Sequence, residues 1–102
     1  MTRRMIDITF NNAIAQARKL ESCADSMVRI AGTNLPNVKA QLQAAWEGDC
    51  AAAYIDKMEM TADGIRKTAN RLYDIAATIR EVATIFRNSE LRALEIATNR
   101  NY

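Results

Sequence analysis

Apolar residues recur at alternating steps of three and four along most of the chain, which is the spacing of one face of an α-helix. The pattern forms a heptad seam in which small residues alternate with larger ones. In the first half its members are Phe10, Ala13, Ala17, Leu20, Ala24, Met27 and Ala31. Because small residues let two helices approach closely, this seam favours a tightly packed helix pair.

The seam is interrupted at the segment Gly32-Thr33-Asn34-Leu35-Pro36. Proline lacks the N–H that would bond to the carbonyl of Gly32, so the sequence predicts a kink or a short break near residues 32–36. Beyond it the apolar row continues through Leu35, Val38, Leu42 and Ala45. We expect a first helix over about residues 8–45, capped by Asp7 or Thr9.

The second half carries a longer apolar row, with a second row beside it. The main row is Ala51, Tyr54, Met58, Ala62, Ile65, Ala69, Leu72, Ala76, Ile79, Ala83 and Phe86, and the second is Ile75, Val82 and Ile85. This pattern predicts a second helix over about residues 49–89 or longer, followed by a frayed polar tail.

Trp46-Glu47-Gly48 separates the two halves and predicts a turn over residues 46–48. Glycine readily adopts the positive φ that commonly ends a helix, and Asp49 is a suitable N-cap for the next one. The tryptophan ring is expected to pack across the end of the helix pair. The chain is therefore predicted to be all-α, a single antiparallel helix-turn-helix hairpin over residues 1–102.

One helix partner needs only a narrow apolar stripe, whereas the face from Leu72 to Phe86 is wider. This surplus predicts that two hairpins dimerise into a four-helix bundle. The expected interface residues are Leu72, Ile75, Ile79 and Val82.

Charge and hydropathy narrow the function classes. The net charge of +2 arises from 14 basic and 12 acidic residues scattered along the chain, so nucleic-acid binding is not expected. No run approaches the roughly 18 apolar residues of a membrane span, and no apolar block follows Arg3-Arg4. We therefore expect no stable membrane insertion and no Sec-type signal peptide. Any export must use a signal-peptide-independent route.

Catalytic chemistry is not indicated. The chain has no histidine, which removes Ser-His and Cys-His pairs and the commonest zinc ligand. An acidic row is formed by Asp56, Glu59 and Asp63, but it is out of phase with the apolar seam. We interpret it as a solvated helix face whose surface partners are Arg66 and Lys67. We expect neither enzymatic activity nor a cofactor nor a metal site.

The two cysteines lie far apart in the predicted hairpin. Cys50 is next to the turn, and Cys23 is very roughly 35 to 40 Å away at 1.5 Å per residue, beyond the ~7 Å limit for a disulfide. They are either buried small hydrophobes or members of an intersubunit bridge.

Two motifs combine with this architecture. Trp46-Glu47-Gly48 gives a Trp-x-Gly turn at the midpoint, and Phe86-Arg-Asn-Ser-Glu90 gives an aromatic residue four positions before a carboxylate near the C-terminal end. The chain resembles the WXG superfamily of type VII (ESX-type) secretion substrates over nearly its whole length. It departs from the family in having Phe and Glu where Tyr and Asp are commonest in the export motif, and in the Gly32–Pro36 interruption.

The resemblance implies a non-enzymatic function. It implies a secretion substrate, or a co-secreted targeting partner, that is cytoplasmic before export. Its partner would be itself, a related hairpin or the N-terminal helical domain of a larger effector. Antiparallel pairing would bring Trp46 of one subunit beside Phe86 and Glu90 of the other, forming a composite signal for a membrane-anchored secretion ATPase.

Alternatives remain open at this stage. The chain could instead be an intracellular helical adaptor or assembly subunit in which the Trp-Glu-Gly turn arises by chance. Phe86 could be a core aromatic near Ile8 and Phe10 rather than part of a signal. The sequence also leaves homodimer and heterodimer undecided.

Overall fold

The computed structural model describes residues 2–45 and 48–100, without the side chains of residues 49 and 50. Its elements are helix α1 (Arg3–Arg29), a π-helical turn (Ile30–Asn34), helix α2 (Leu35–Ala45) and helix α3 (Asp49–Asn99). The described ranges contain no β-strand. The all-α prediction is therefore confirmed, and the helices are consistent with a hairpin.

Helix α1 begins at Arg3, earlier than the expected start near residue 8. The cap is Thr2, whose Oγ1 accepts a hydrogen bond from the Met5 amide at 3.2 Å. The Thr2 carbonyl accepts a second bond, from the Ile6 amide at 3.0 Å. Because Thr2 satisfies the free amides of the first turn, Asp7 is not needed as a cap and lies within the helix.

Helix α3 continues to Asn99, well past Ser89. Leu91 and Leu94 extend the half-buried apolar row beyond Phe86 and so keep the helix packed. The Arg100 amide still bonds to the Ile96 carbonyl at 3.1 Å. Residues 97–99 of the expected frayed tail are therefore helical, and residues 101 and 102 lie outside the described part.

At the predicted interruption, one turn of π-helix replaces the α-helical hydrogen bonding. The Leu35 amide bonds to the carbonyl of Ile30, five residues back rather than four. Pro36 then falls in the first turn of α2, where its missing N–H does not interrupt the helix that follows.

The chain divides into two compact units. The described residues of the first unit are 2–21 and 74–100. Within it, Asp7 lies near Arg87 and Glu21 near Arg80, so α1 and α3 run antiparallel there. The second unit comprises the described residues of the range 22–73. It pairs Asp25 with Tyr73 and, further along α2, Lys39 with Glu59, which is again antiparallel.

The cores of both units consist almost entirely of alanine. In the first unit the buried side chains are Ile6, Ala17, Ala76 and Ala83, and in the second they are Ala24, Ala31, Ala51, Ala62 and Ala69. Most of these alanines are seven residues apart along their helix. The predicted seam with interleaved small residues is confirmed, and its larger members such as Leu20 and Met27 are half-buried beside it.

Three members of the predicted apolar rows are corrected. Val38 is 43% exposed and Ala45 is also exposed, because the π-turn adds one residue and turns Lys39 toward α3 instead. Tyr54, placed in the α3 row, is 57% exposed, and its neighbour Ile55 takes the inward position.

Candidate interaction surface

Gly48 immediately precedes α3 and adopts φ 106°, in the left-handed region. A Cβ at this position would meet no neighbouring atom, so the backbone conformation rather than space favours glycine. The Gly48 carbonyl accepts a hydrogen bond from the Ala52 amide at 3.2 Å. Gly48 is therefore the N-cap residue, and Asp49, predicted for that role, is the first helical residue. Trp46, the other member of the predicted turn motif, lies outside the described residues.

Phe86 and Glu90 lie one helical turn apart on α3, within the first unit. Both side chains are half-buried. Across the described ranges, no hydrogen bond or ion pair involves the Glu90 carboxylate. The two residues proposed as an export motif thus share one side of the helix and are partly accessible.

An apolar groove of about 380 Å³ lies between α1 and the later part of α3 in the first unit. Two aromatic residues, two larger aliphatic residues and two alanines lie around it, together with two threonines. The lining residues are Thr9, Phe10, Ala13, Thr78, Ile79, Val82, Ala83 and Phe86. Phe86 is therefore neither an enclosed core residue nor a free surface side chain, because it forms one side of an open apolar groove beside Phe10.

The predicted interface residues differ in exposure. Ile75 is 49% exposed and Val82 is 58% exposed, whereas Ile79 is half-buried. Ile79 and Val82 both line the groove. Leu72 belongs to the second unit, where it is half-buried. The structure thus brings two of the four predicted residues into the groove.

Arg87 extends this surface with a charged group that the sequence did not single out. Its guanidinium carbon lies 4.8 Å from the centroid of the Phe10 ring, which is cation–π geometry. Its Nε lies 3.8 Å from Asp7 Oδ1 and is buried without a hydrogen bond in the described part. When the two helices pair antiparallel, Phe10 lies beside Phe86 and Arg87 along the helix axis. This alignment was the only indication of the contact that the sequence offered.

The polar contacts within each unit lie at the edges of the alanine seam. Arg80 donates to Glu21 Oε1 at 2.5 Å in the first unit. In the second, Lys39 pairs with Glu59, and the Tyr73 hydroxyl donates to Asp25. These contacts fix the relative level of the paired helices and leave the groove apolar.

Other candidate chemistry is sparse in the described residues. They contain no group of three His, Cys, Asp or Glu side chains placed to hold a metal ion. Cys23 is exposed and forms no disulfide, which corrects the buried interpretation of that residue. The side chain of Cys50 is outside the described part. None of the described helices has a stretch long and apolar enough to span a bilayer.

Comparison of the chain with known family models, with curated proteins and with solved structures finds no match.

Proposed function

We propose that the chain is a non-enzymatic substrate of type VII secretion, or a co-secreted targeting partner. It would pair with another helical hairpin and present a composite export signal to the secretion ATPase. The observation that carries the proposal is the exposed apolar face of the first unit. Ile75, Val82 and Ile85 are each about half exposed or more, next to the open groove at Phe86.

This face favours pairing. Fully burying a Val or Ile side chain contributes about 1.5–3 kcal/mol, so roughly half of that remains available at each of Ile75, Val82 and Ile85. Partner residues that fill the groove beside Phe86 would add to it. The proposed pair is a four-helix bundle in which the alanine seams hold each hairpin and the larger aliphatic side chains hold the two hairpins together.

The signal itself would consist of Phe86 and Glu90. An aromatic ring and a carboxylate one turn apart can enter an apolar pocket and meet a basic group together. In an antiparallel pair, the turn of the partner, with its Trp46, would lie near this end of α3. The signal would then be complete only in the assembled pair.

The decisive experiment follows export into the culture medium of a strain with an intact type VII system. Glu90→Gln keeps the size of the side chain and removes its charge, so we expect export to be lost while helical content and mass in solution stay unchanged. Glu95→Gln, at an exposed position of the same helix, is the matched control and should be exported normally. Phe86→Ala is expected to abolish export as well.

The outcomes separate the two function classes. Export of the Glu90→Gln protein at the wild-type level would rule out the carboxylate as part of a signal. If the wild-type chain stays in the cytoplasm of a strain that exports its other substrates, an intracellular helical adaptor becomes the better proposal.

A further inference from the structure

The π-turn takes away the donor that the Ala31 carbonyl would have in an α-helix. In an α-helix its partner would be the Leu35 amide, but that amide bonds to the Ile30 carbonyl. In the π pattern the partner would be the amide of residue 36, which is proline and has no N–H. A carbonyl with neither partner is costly where water is partly excluded.

Arg66 of α3 reaches this carbonyl from the opposite helix. Its Nη2 donates to the Ala31 oxygen at 3.2 Å, a partly buried contact between residues 35 positions apart. Its Nη1 donates to Asp63 Oδ1 at 3.1 Å, which orients the guanidinium. Because Ala31 is fully buried, this contact lies at the edge of the seam rather than on the open surface.

The π-turn also decides which face of α2 meets α3. A continuous heptad after Ala31 would turn Asn34, Val38 and Gln41 inward. The extra residue of the π-turn moves every inward position on by one, so that Leu35, Lys39 and Leu42 are partly buried instead. Two leucines thereby replace two amides in the seam, while Lys39, which pairs with Glu59, takes the place of Val38. The burial of the two leucines favours the π-turn over an uninterrupted α-helix.

We propose that Arg66 is the positioning residue that supplies the hydrogen-bond donor missing at Pro36. It thereby stabilises the π-turn and the one-residue shift that places Leu35, Lys39 and Leu42 against α3. A cavity of about 340 Å³ lies at this contact and is lined in part by Ala31, Pro36 and Arg66. The inference concerns this chain's own register and does not depend on export.

A double-mutant cycle on the full chain tests the coupling between Arg66 and Pro36. The unfolding equilibrium of wild type, Arg66→Met, Pro36→Ala and the double variant is measured in urea at one protein concentration. Alanine at position 36 restores an N–H for the Ala31 carbonyl. We therefore expect Arg66→Met to lower the folding equilibrium constant about threefold to tenfold more in the Pro36 background than in the Pro36→Ala background.

Two control variants isolate the contact. Arg71→Met removes an exposed arginine from the same helix that makes no ion pair or hydrogen bond within the described residues. Asp63→Asn removes the neighbouring charge but keeps both the Oδ1 acceptor that orients Arg66 and the donor to Ala31. Neither change is expected to couple to Pro36.

The carbonyl carbon chemical shift of Ala31 provides a direct readout. Arg66→Met should move it in the direction of a lost hydrogen bond, while Arg71→Met should leave it in place. The proposal is overturned if Arg66→Met has the same effect in both backgrounds, or if the Ala31 carbonyl shift does not respond. Should Pro36→Ala fail to fold, the shift in the otherwise wild-type chain decides alone.

Discussion

Replacing Ala76 by leucine should destabilise the first unit, whereas the same change at the adjacent Ala77 should not. Ala76 is 0% exposed in the seam between α1 and α3, while Ala77 is exposed. Leucine at a fully enclosed position forces the backbones apart or the side chain off its rotamer, which typically costs about 1–3 kcal/mol. At Ala77 only the small difference in helix propensity, a few tenths of a kcal/mol, is expected.

For a chain of this length, 1 kcal/mol corresponds to about 4–8 °C in Tm. We therefore expect Ala76→Leu to melt roughly 8–16 °C below wild type for a cost of about 2 kcal/mol, and Ala77→Leu to melt within about 2 °C of it. The assay is thermal and urea unfolding followed by circular dichroism at 222 nm. All variants are compared at the same concentration, because the proposed pairing would make the midpoint concentration-dependent. If the two leucine variants melt together, the alanine seam is not the close contact between the helices.

Two further predictions concern the surface and the ion pairs of the first unit. Val82→Lys places a charge on the exposed apolar face, so light scattering should show loss of self-pairing or partner pairing with unchanged helical content. The control Thr84→Lys, on another side of α3, should keep the assembly, and equal masses for the two variants would remove Val82 from the interface. Glu21→Gln breaks the pair with Arg80, whose side chains are 35% and 38% exposed, so we expect a loss of about 1 kcal/mol or less that shrinks in 1 M NaCl. A loss independent of salt would mean that Glu21 acts through packing instead.

The helical periodicity predicted the class of the fold and the pairing of its helices. Steps of three and four identify Ala17 and Ala24 as seam positions, and both are fully buried. The ends of the helices were harder to predict from the sequence, because they depend on single capping contacts. Thr2 caps α1 through a side chain and a carbonyl together, and a threonine at the second position of a chain gives no stronger signal than Asp7 or Thr9.

The inward face of α2 was predicted correctly at Leu35 and Leu42 but not at Val38 and Ala45, which are exposed. Proline at position 36 indicated a disturbance, but its missing N–H is compatible with either a kink or a π-turn. Only the π-turn adds a residue to the heptad, and it turns Val38 outward. The extra residue is visible in the sequence as a spacing of eight between Met27 and Leu35, where a heptad repeat would give seven. The ion pair between Lys39 and Glu59 shows that Lys39, and not Val38, faces α3.

Part of the candidate site was predictable and part was not. Ile79, Val82 and Phe86 follow from the width of the apolar face, and all three line the groove. The contact of Arg87 with Phe10 depends on the level at which α1 meets α3, and apolar spacing alone does not determine that level to within one turn.

The division between small and large apolar residues links the fold to the proposed pairing. The fully enclosed side chains of the seam are alanines apart from Ile6, and an alanine side chain buries little apolar surface. Each hairpin unit therefore gains close packing but a modest hydrophobic contribution from its own core. The aliphatic residues that could contribute more, among them Ile75, Val82 and Ile85, remain about half exposed on one helix. A second helical surface, as proposed, would bury these aliphatic side chains while the alanines of the seam stay enclosed.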